Sequence, residues 1–320
     1  MLLKRKRVLA AAIESTVGTA ETLNAAAAAF NVFDAMPQAN IEYGERPGQS
    51  AFSPLPGVPG ARGGTITFTV ELHGSGSVLA PKPAWAEVFF PACGLVDVGD
   101  TDVFLPSSAA PADGADSKAV RTITIGVYEN GMLKKLRGCM GNAVFTFEAG
   151  KPVRIEFTFT GLWDAPTDVA ILAPTYPTVI PPRYASSVVT IGAWQPAHHQ
   201  ITIDLGNQVM LREDPADVTG YRSAAITMRR ITGTMDPESD LVGAGTNDPY
   251  TLWLAQSEPA LSIEIPDGSA DGNRILVDAG NLQITNVQEA DREDLQTDEV
   301  SFVLNRVLAA GDDELSIEFT

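Results

Sequence analysis

Gly60-Ala61-Arg62-Gly63-Gly64-Thr65-Ile66-Thr67-Phe68-Thr69-Val70-Glu71-Leu72-His73 is the stretch on which the reading of this chain turns. From Thr65 it alternates without a break. Ile66, Phe68, Val70 and Leu72 share one face, and Thr65, Thr67, Thr69 and Glu71 share the other. A period of two with one apolar face is a half-buried β-strand whose outer side stays wet. The pattern returns 160 residues later as Gly220-Tyr221-Arg222-Ser223-Ala224-Ala225-Ile226-Thr227-Met228, an offset of half the 320-residue chain.

The surroundings of the two stretches also correspond. Ala35-Met36-Pro37 leads the first and Trp194-Gln195-Pro196 the second, each followed by a strand and a long connection. Downstream, Gly141-Asn142 is echoed by Gly280-Asn281 at an offset of 139, so the later copy lacks about 21 residues, a loss that loops absorb most readily. The expectation is a mainly β protein of two tandem β-sandwich or barrel copies, each with one short flanking helix. Residues 1–163 form the first copy, with an N-terminal arm and a long loop at 44–64. Residues 164–187, with five prolines, form a linker, and residues 188–320 the second copy.

Within this frame Trp85–Phe90 is the helix of the first copy, with Tyr250–Gln256 as its partner. Glu129-Asn130-Gly131 signals a hairpin turn. Gly44–Gly64 carries four prolines and six glycines and reads as an irregular loop, long enough to be functional, with Phe52, Leu55 and Val58 suited to docking. Arg229-Arg230 stands where the first copy has Thr69-Val70. Either a bulge moves Ile231 inward, or Arg230 meets a partner.

Composition excludes several classes. The net charge of −18 divides into −2 for residues 1–164 and −16 for residues 165–320, the reverse of a nucleic-acid reader's basic footprint. Cys93 and Cys139 give neither a disulfide framework nor metal-ligand spacing and are expected as free thiols. The apolar run after Lys4-Arg5-Lys6-Arg7 is too short for a signal peptide, and no stretch reads as a membrane span. His198 and His199 point to opposite faces of one strand and cannot chelate together. No nucleophile–base pair, phosphate loop or calcium loop occurs, so no catalytic, cofactor-binding or metal residue is assigned and no enzyme is expected.

Five segments resemble the major tail tube proteins of long-tailed, non-contractile bacteriophages. They are R-K-R-V-L-A-A-A-I-E-S-T-V-G-T-A (5–20), S-P-L-P-G-V-P-G-A-R (53–62), G-V-Y-E-N-G-M-L-K-K-L (126–136), G-K-P-V-R-I-E-F-T-F-T-G (150–161) and D-D-E-L-S-I-E-F-T (312–320). The resemblance implies a virion protein, assembled in the host cytoplasm. Its inner strands join neighbouring subunits into a tube, and an arm or loop stacks the rings. Its implied partners are further copies of itself, the tape measure, the tail terminator and the distal tail proteins, with DNA passing through an acidic lumen. Two tube domains in one chain imply a three-subunit ring of pseudo-sixfold symmetry. A tandem binding or decoration module is the alternative. The cations at 4–7 and the loop at 44–64 are expected to join one ring to the next.

Overall fold

Alternation governs the strands of the computed structural model, which describes residues 6–50, 52–99, 101–241, 248–266 and 271–320. The first part of the chain forms β1 (Arg7–Ile13), β2 (Val32–Arg46), β3 (Leu55–Glu71), α1 (Ala84–Ala92), β4 (Leu95–Asp97) and β5 (Val103–Pro106). Next come β6 (Ile123–Glu129), β7 (Met132–Glu148), β8 (Arg154–Trp163) and the short β9 (Thr167–Asp168). The later part forms β10 (Val188–Ile191), β11 (His198–Asp204), β12 (Gln208–Glu213), β13 (Tyr221–Met228) and β14 (Thr232–Pro237). It ends with α2 (Pro249–Ala255), β15 (Leu261–Ile265), β16 (Ile275–Ala279), β17 (Asn281–Arg292), β18 (Leu295–Asn305) and β19 (Ser316–Phe319).

The main sheet runs β17-β18-β14-β11-β7-β8-β3-β2, antiparallel at every step. It crosses the middle of the chain where β11 pairs with β7, Thr202 opposite Thr146 and Ile201 opposite Phe147. The first half of β7 also pairs with β6, and β6 with β1, so the wall curls back toward β2. A second sheet, β10-β15-β16-β19-β5-β4, covers the other side. In it β19 lies between β16 and β5, so the end of the chain completes a layer begun two hundred residues earlier.

The core lies between these layers. Ile66, Phe68 and Val70 of β3 and Ile155, Phe157 and Phe159 of β8 point inward and are fully buried. α1 lays Trp85, Phe89 and Phe90 against them, with Phe68 and Phe89 ring centroids 5.0 Å apart and Phe89 and Phe157 5.4 Å apart. Each buried aromatic contributes on the order of 3 kcal/mol relative to truncation. Pro83, in extended backbone, starts α1. Pro91 does not stop it; the helix runs one residue further before Cys93 caps it. For α2, the Asp248 carboxylate accepts from the Thr251 amide at 2.8 Å, and Gln256 closes the helix in the left-handed region.

Three expectations are revised. Gly44–Gly64 is not an irregular loop: β2 and β3 continue as a two-stranded arm, paired as far as Arg46 opposite Leu55. Glycine and proline deny this ribbon a regular alternation. Proline survives in it because each strand has a free side where a missing N–H costs nothing. The stretch Tyr221–Met228 is β13, which pairs with β12 outside the main sheet, and the next strand to join the main sheet is β14. Ile231 is buried as expected, but through a break between β13 and β14 rather than a bulge within one strand. Residues 164–187 do not span open space. β9 pairs with β7, Asn31 Nδ2 donates to Pro177 O, Asn273 Nδ2 donates to Ile180 O, and Tyr184 is buried.

Candidate assembly surfaces

The outer face of the main sheet is lined by short hydroxyl side chains. Thr67 and Thr158 face each other across β3 and β8, with oxygens 3.4 Å apart, and Thr202 and Thr234 across β11 and β14 at 2.7 Å. Thr146 sits between them on β7. Charge on this face is mostly negative: Glu71, Glu148, Glu156, Asp204, Asp236 and Glu299 against Arg154 and Arg292. Arg292 is committed to Asp236 and Glu238 at 3.3 and 3.0 Å. The face therefore presents hydroxyls and mostly acidic charge, with Phe33 and Met36 exposed at its β2 edge.

Both ends of the main sheet are open, because among the described residues β2 and β17 each lack a second neighbour. Phe33, Met36 and Ile41 of β2 are exposed at one end. A free edge bearing large apolar side chains is a pairing template that a monomer does not keep without a reason. The arm carries more of the same, with Tyr43, Phe52, Leu55 and Val58 all exposed. In the later half, the β12–β13 hairpin folds back onto β7, β8 and β3. Val209, Leu211 and Ile226 pack there on Val96, Val120 and Met140. Gly206 makes the fold-back possible: its φ is +64°, and a Cβ would sit 2.1 Å from the Arg230 carbonyl oxygen.

Ion pairs lock this arrangement. Arg137 donates to Gly18 O at 2.6 Å, to both Asp217 oxygens at 2.8 Å and to Asp164 at 3.2 Å, joining β7 to the β12–β13 turn and to the segment after β8. Burial alone would raise the Asp217 carboxyl, but the Thr219 hydroxyl and amide and then Arg137 outweigh it and hold it below its ordinary value. Arg229, nearly buried, joins Asp312 and Glu314 at 2.8 and 2.7 Å and donates to Ser107 O, tying the halves together. Arg230 beside it is exposed. Glu14 is fully buried and accepts from Thr122, Thr124 and the amides of Gly18 and Gly138. Burial pushes its carboxyl above the ordinary range, and the four donors offset only part of that.

Catalytic chemistry finds little footing. His198 binds the Tyr184 hydroxyl at 2.7 Å and Pro196 O at 2.9 Å, while His199 approaches Glu148 at 3.5 Å. Among the described residues no three His, Cys, Asp or Glu side chains gather for a metal. Cys93 and Cys139 are free and buried, and burial pushes both thiols up, away from the reactive thiolate. Of the expected arm at 1–7, residues 1–5 lie outside the described residues. Sequence reading did not locate the edge strands β2 and β17 and missed the Arg137 and Arg229 clamps, whose partners lie far apart in the chain.

A model of the phage tail tube protein family matches residues 4–320. The chain belongs to that family. A search of curated proteins returned no match. As a tail tube protein it is a structural component of a phage virion, in a family whose members assemble into a tube with other tail proteins. Its mainly β architecture with two short helices agrees with the sequence reading. None of the described helices is long and apolar enough to cross a membrane.

Proposed function

We propose that three copies of this tail tube protein close into a ring around a lumen, and that rings stack into the tube that conducts DNA. One observation carries this: the chain already contains a finished example of the joint. Read along the sheet, β2-β3-β8-β7 and β11-β14-β18-β17 have the same connectivity, and the two sets meet at β7·β11. Ile66 and Thr67-Phe68-Thr69 of β3 resemble Ile231 and the Thr232-Gly233-Thr234 that opens β14, which supports two tandem copies aligned at these residues. The open edges β17 and β2 are then the counterparts of β7 and β11. Pairing β17 of one copy with β2 of the next repeats a contact the fold already makes, and three chains close a barrel of three times eight strands.

In that barrel the threonine-rich face lines the lumen, and its carboxylates repel the DNA backbone so that it slides without sticking. The extended arm, with its exposed apolar residues, reaches the adjacent ring. The folded-back β12–β13 hairpin does not, so each ring offers three arms rather than six. The register gives the test. Thr146 opposite Thr202 translates to Gln288 opposite Phe33 of the neighbouring copy. Phe33→Cys with Gln288→Cys, both exposed, is expected to give an oxidised ladder ending at three chains on a denaturing gel. The native cysteines are buried and stay silent. A ladder running past three, or no cross-link in visible tubes, overturns the arrangement.

A further inference from the structure

The ring proposed above leaves open what selects its joint, and the two ends of the main sheet differ in chemistry. At one end the wall between β1 and β2 has not closed. Their free edges face each other across a cavity of about 740 Å3 lined by Arg7, Leu9, Phe30, Val32, Asp34 and Ala35. Arg7 lies across this seam. Its Nη1 donates to Ala35 O at 2.9 Å and its Nη2 is 2.7 Å from Glu129, but its Nε is buried with no partner. A buried donor left unmade is costly, on the order of 1–3 kcal/mol.

The other end is acidic. Beyond the bulge at Thr285, Val287, Glu289 and Asp291 alternate toward the inner side of β17. Glu289 is opposite Asp298 of β18, which is buried and accepts from the Tyr250 hydroxyl at 3.3 Å. Among the described residues none of these three carboxylates pairs with a cation.

The internal joint shows how the ends fit. There Phe147 is opposite Ile201 and reaches inward to the Tyr184 ring at 5.7 Å. By the alignment of the two halves, Glu289 takes the place of Phe147 and Val32 that of Ile201. The apolar knob of the finished joint is replaced by a carboxylate, and the seam it would enter holds an arginine with a free donor.

We propose that Glu289 of one copy enters the β1–β2 seam of the next and pairs with Arg7, so that the basic start of the chain closes a ring sideways instead of linking ring to ring. This departs from the expectation that the basic arm at 1–7 joins one ring to the next. The polar pair distinguishes the joint between chains from the apolar joint within one. It keeps the free subunit soluble, gives each edge only one matching partner, and makes ring closure salt-sensitive where the internal joint is not.

The experiment is a charge swap. Arg7→Glu and Glu289→Arg are made singly and together, and ring formation is followed by sedimentation velocity and negative-stain microscopy at low salt. Each single change is expected to lower the ring fraction at least about tenfold, and the double variant to restore it. Because Arg7→Glu faces Glu129 and risks misfolding, Glu289→Gln, at an exposed position, provides the same loss without repulsion. Normal rings from Glu289→Gln and Glu289→Arg overturn the proposal, as does a folded double variant that does not recover. The Phe33→Cys/Gln288→Cys ladder separates the two levels. A wild-type-strength trimer ladder in the Glu289→Arg background discards the pair and keeps the ring, whereas no ladder in any background discards the ring itself.

Discussion

Arg137 and Arg229 show how single residues hold a chain with few helices in one shape. Each satisfies several acceptors from segments remote in sequence, and removing a buried guanidinium leaves carboxylates unpaired. Arg137→Ala is expected to cost about 2–4 kcal/mol in a urea titration, with the β12–β13 hairpin released first. Asp217 and Asp312 give these clamps a pH dependence. For Asp312, burial raises the carboxyl, but Ser108 and then Arg229 outweigh it and hold it below its ordinary value. Depressed carboxylates contribute stability that is complete above their unfolded values, near 4, and lost as pH falls through the lower folded ones. Glu14 has the opposite sign: its contribution is present below the ordinary carboxylate range and fades as pH climbs through its raised value. The melting temperature of the wild type is therefore expected to fall below about pH 4. In Asp217→Asn/Asp312→Asn that fall is shallower, from a lower starting point.

Among the elements, the arm and the β12–β13 hairpin are both two-stranded ribbons and meet opposite fates. Gly206 and the break at Arg229-Arg230 fold one back, while Arg62 and Tyr221 contacts to the β12–β13 turn and to Glu42 leave the other standing. Replacing residues 47–54 by an Asn-Gly turn is expected to leave the melting temperature within about 1–2 °C and to permit rings while abolishing tubes, as seen by negative-stain microscopy. Strands such as β3 and β8 were legible because strict alternation admits one interpretation, and α1 because two prolines frame its aromatic run. The arm was not, because the described residues of 44–62 are exposed or half-buried, and without a core-facing side no period exists to read. The match of Gly220–Thr227 to Gly60–Thr67 placed a strand about one turn of hairpin too early, since local similarity says nothing about where a ribbon bends. The edge residues Phe33 and Gln288 carry no sequence signal at all; their role comes from which strands lack neighbours.

For the whole molecule, the separation of charge is the organising fact. In the proposed tube the acidic face and the apolar arm serve different contacts, so that each can be altered without the other. Glu156→Lys with Glu299→Lys, both pointing out from the main sheet, is expected to leave tube assembly intact. Duplex DNA added to such tubes at about 0.1 M salt should be retained, where wild-type tubes let it pass. Tubes that transmit DNA equally well with either face would remove electrostatics from the account of conduction.

The position of β19 has a consequence for synthesis on the ribosome. β5 pairs with β19 on one side and with the three-residue β4 on the other, so Val103–Pro106 keeps a bare edge until Ser316–Phe319 have been translated. The early half of the chain cannot finish its outer layer by itself. A polypeptide broken off between Ala279 and Leu315 carries unmatched edges on both β5 and β16, a template for pairing with other chains. Docking of the single strand Ser316–Phe319 therefore covers both edges at once.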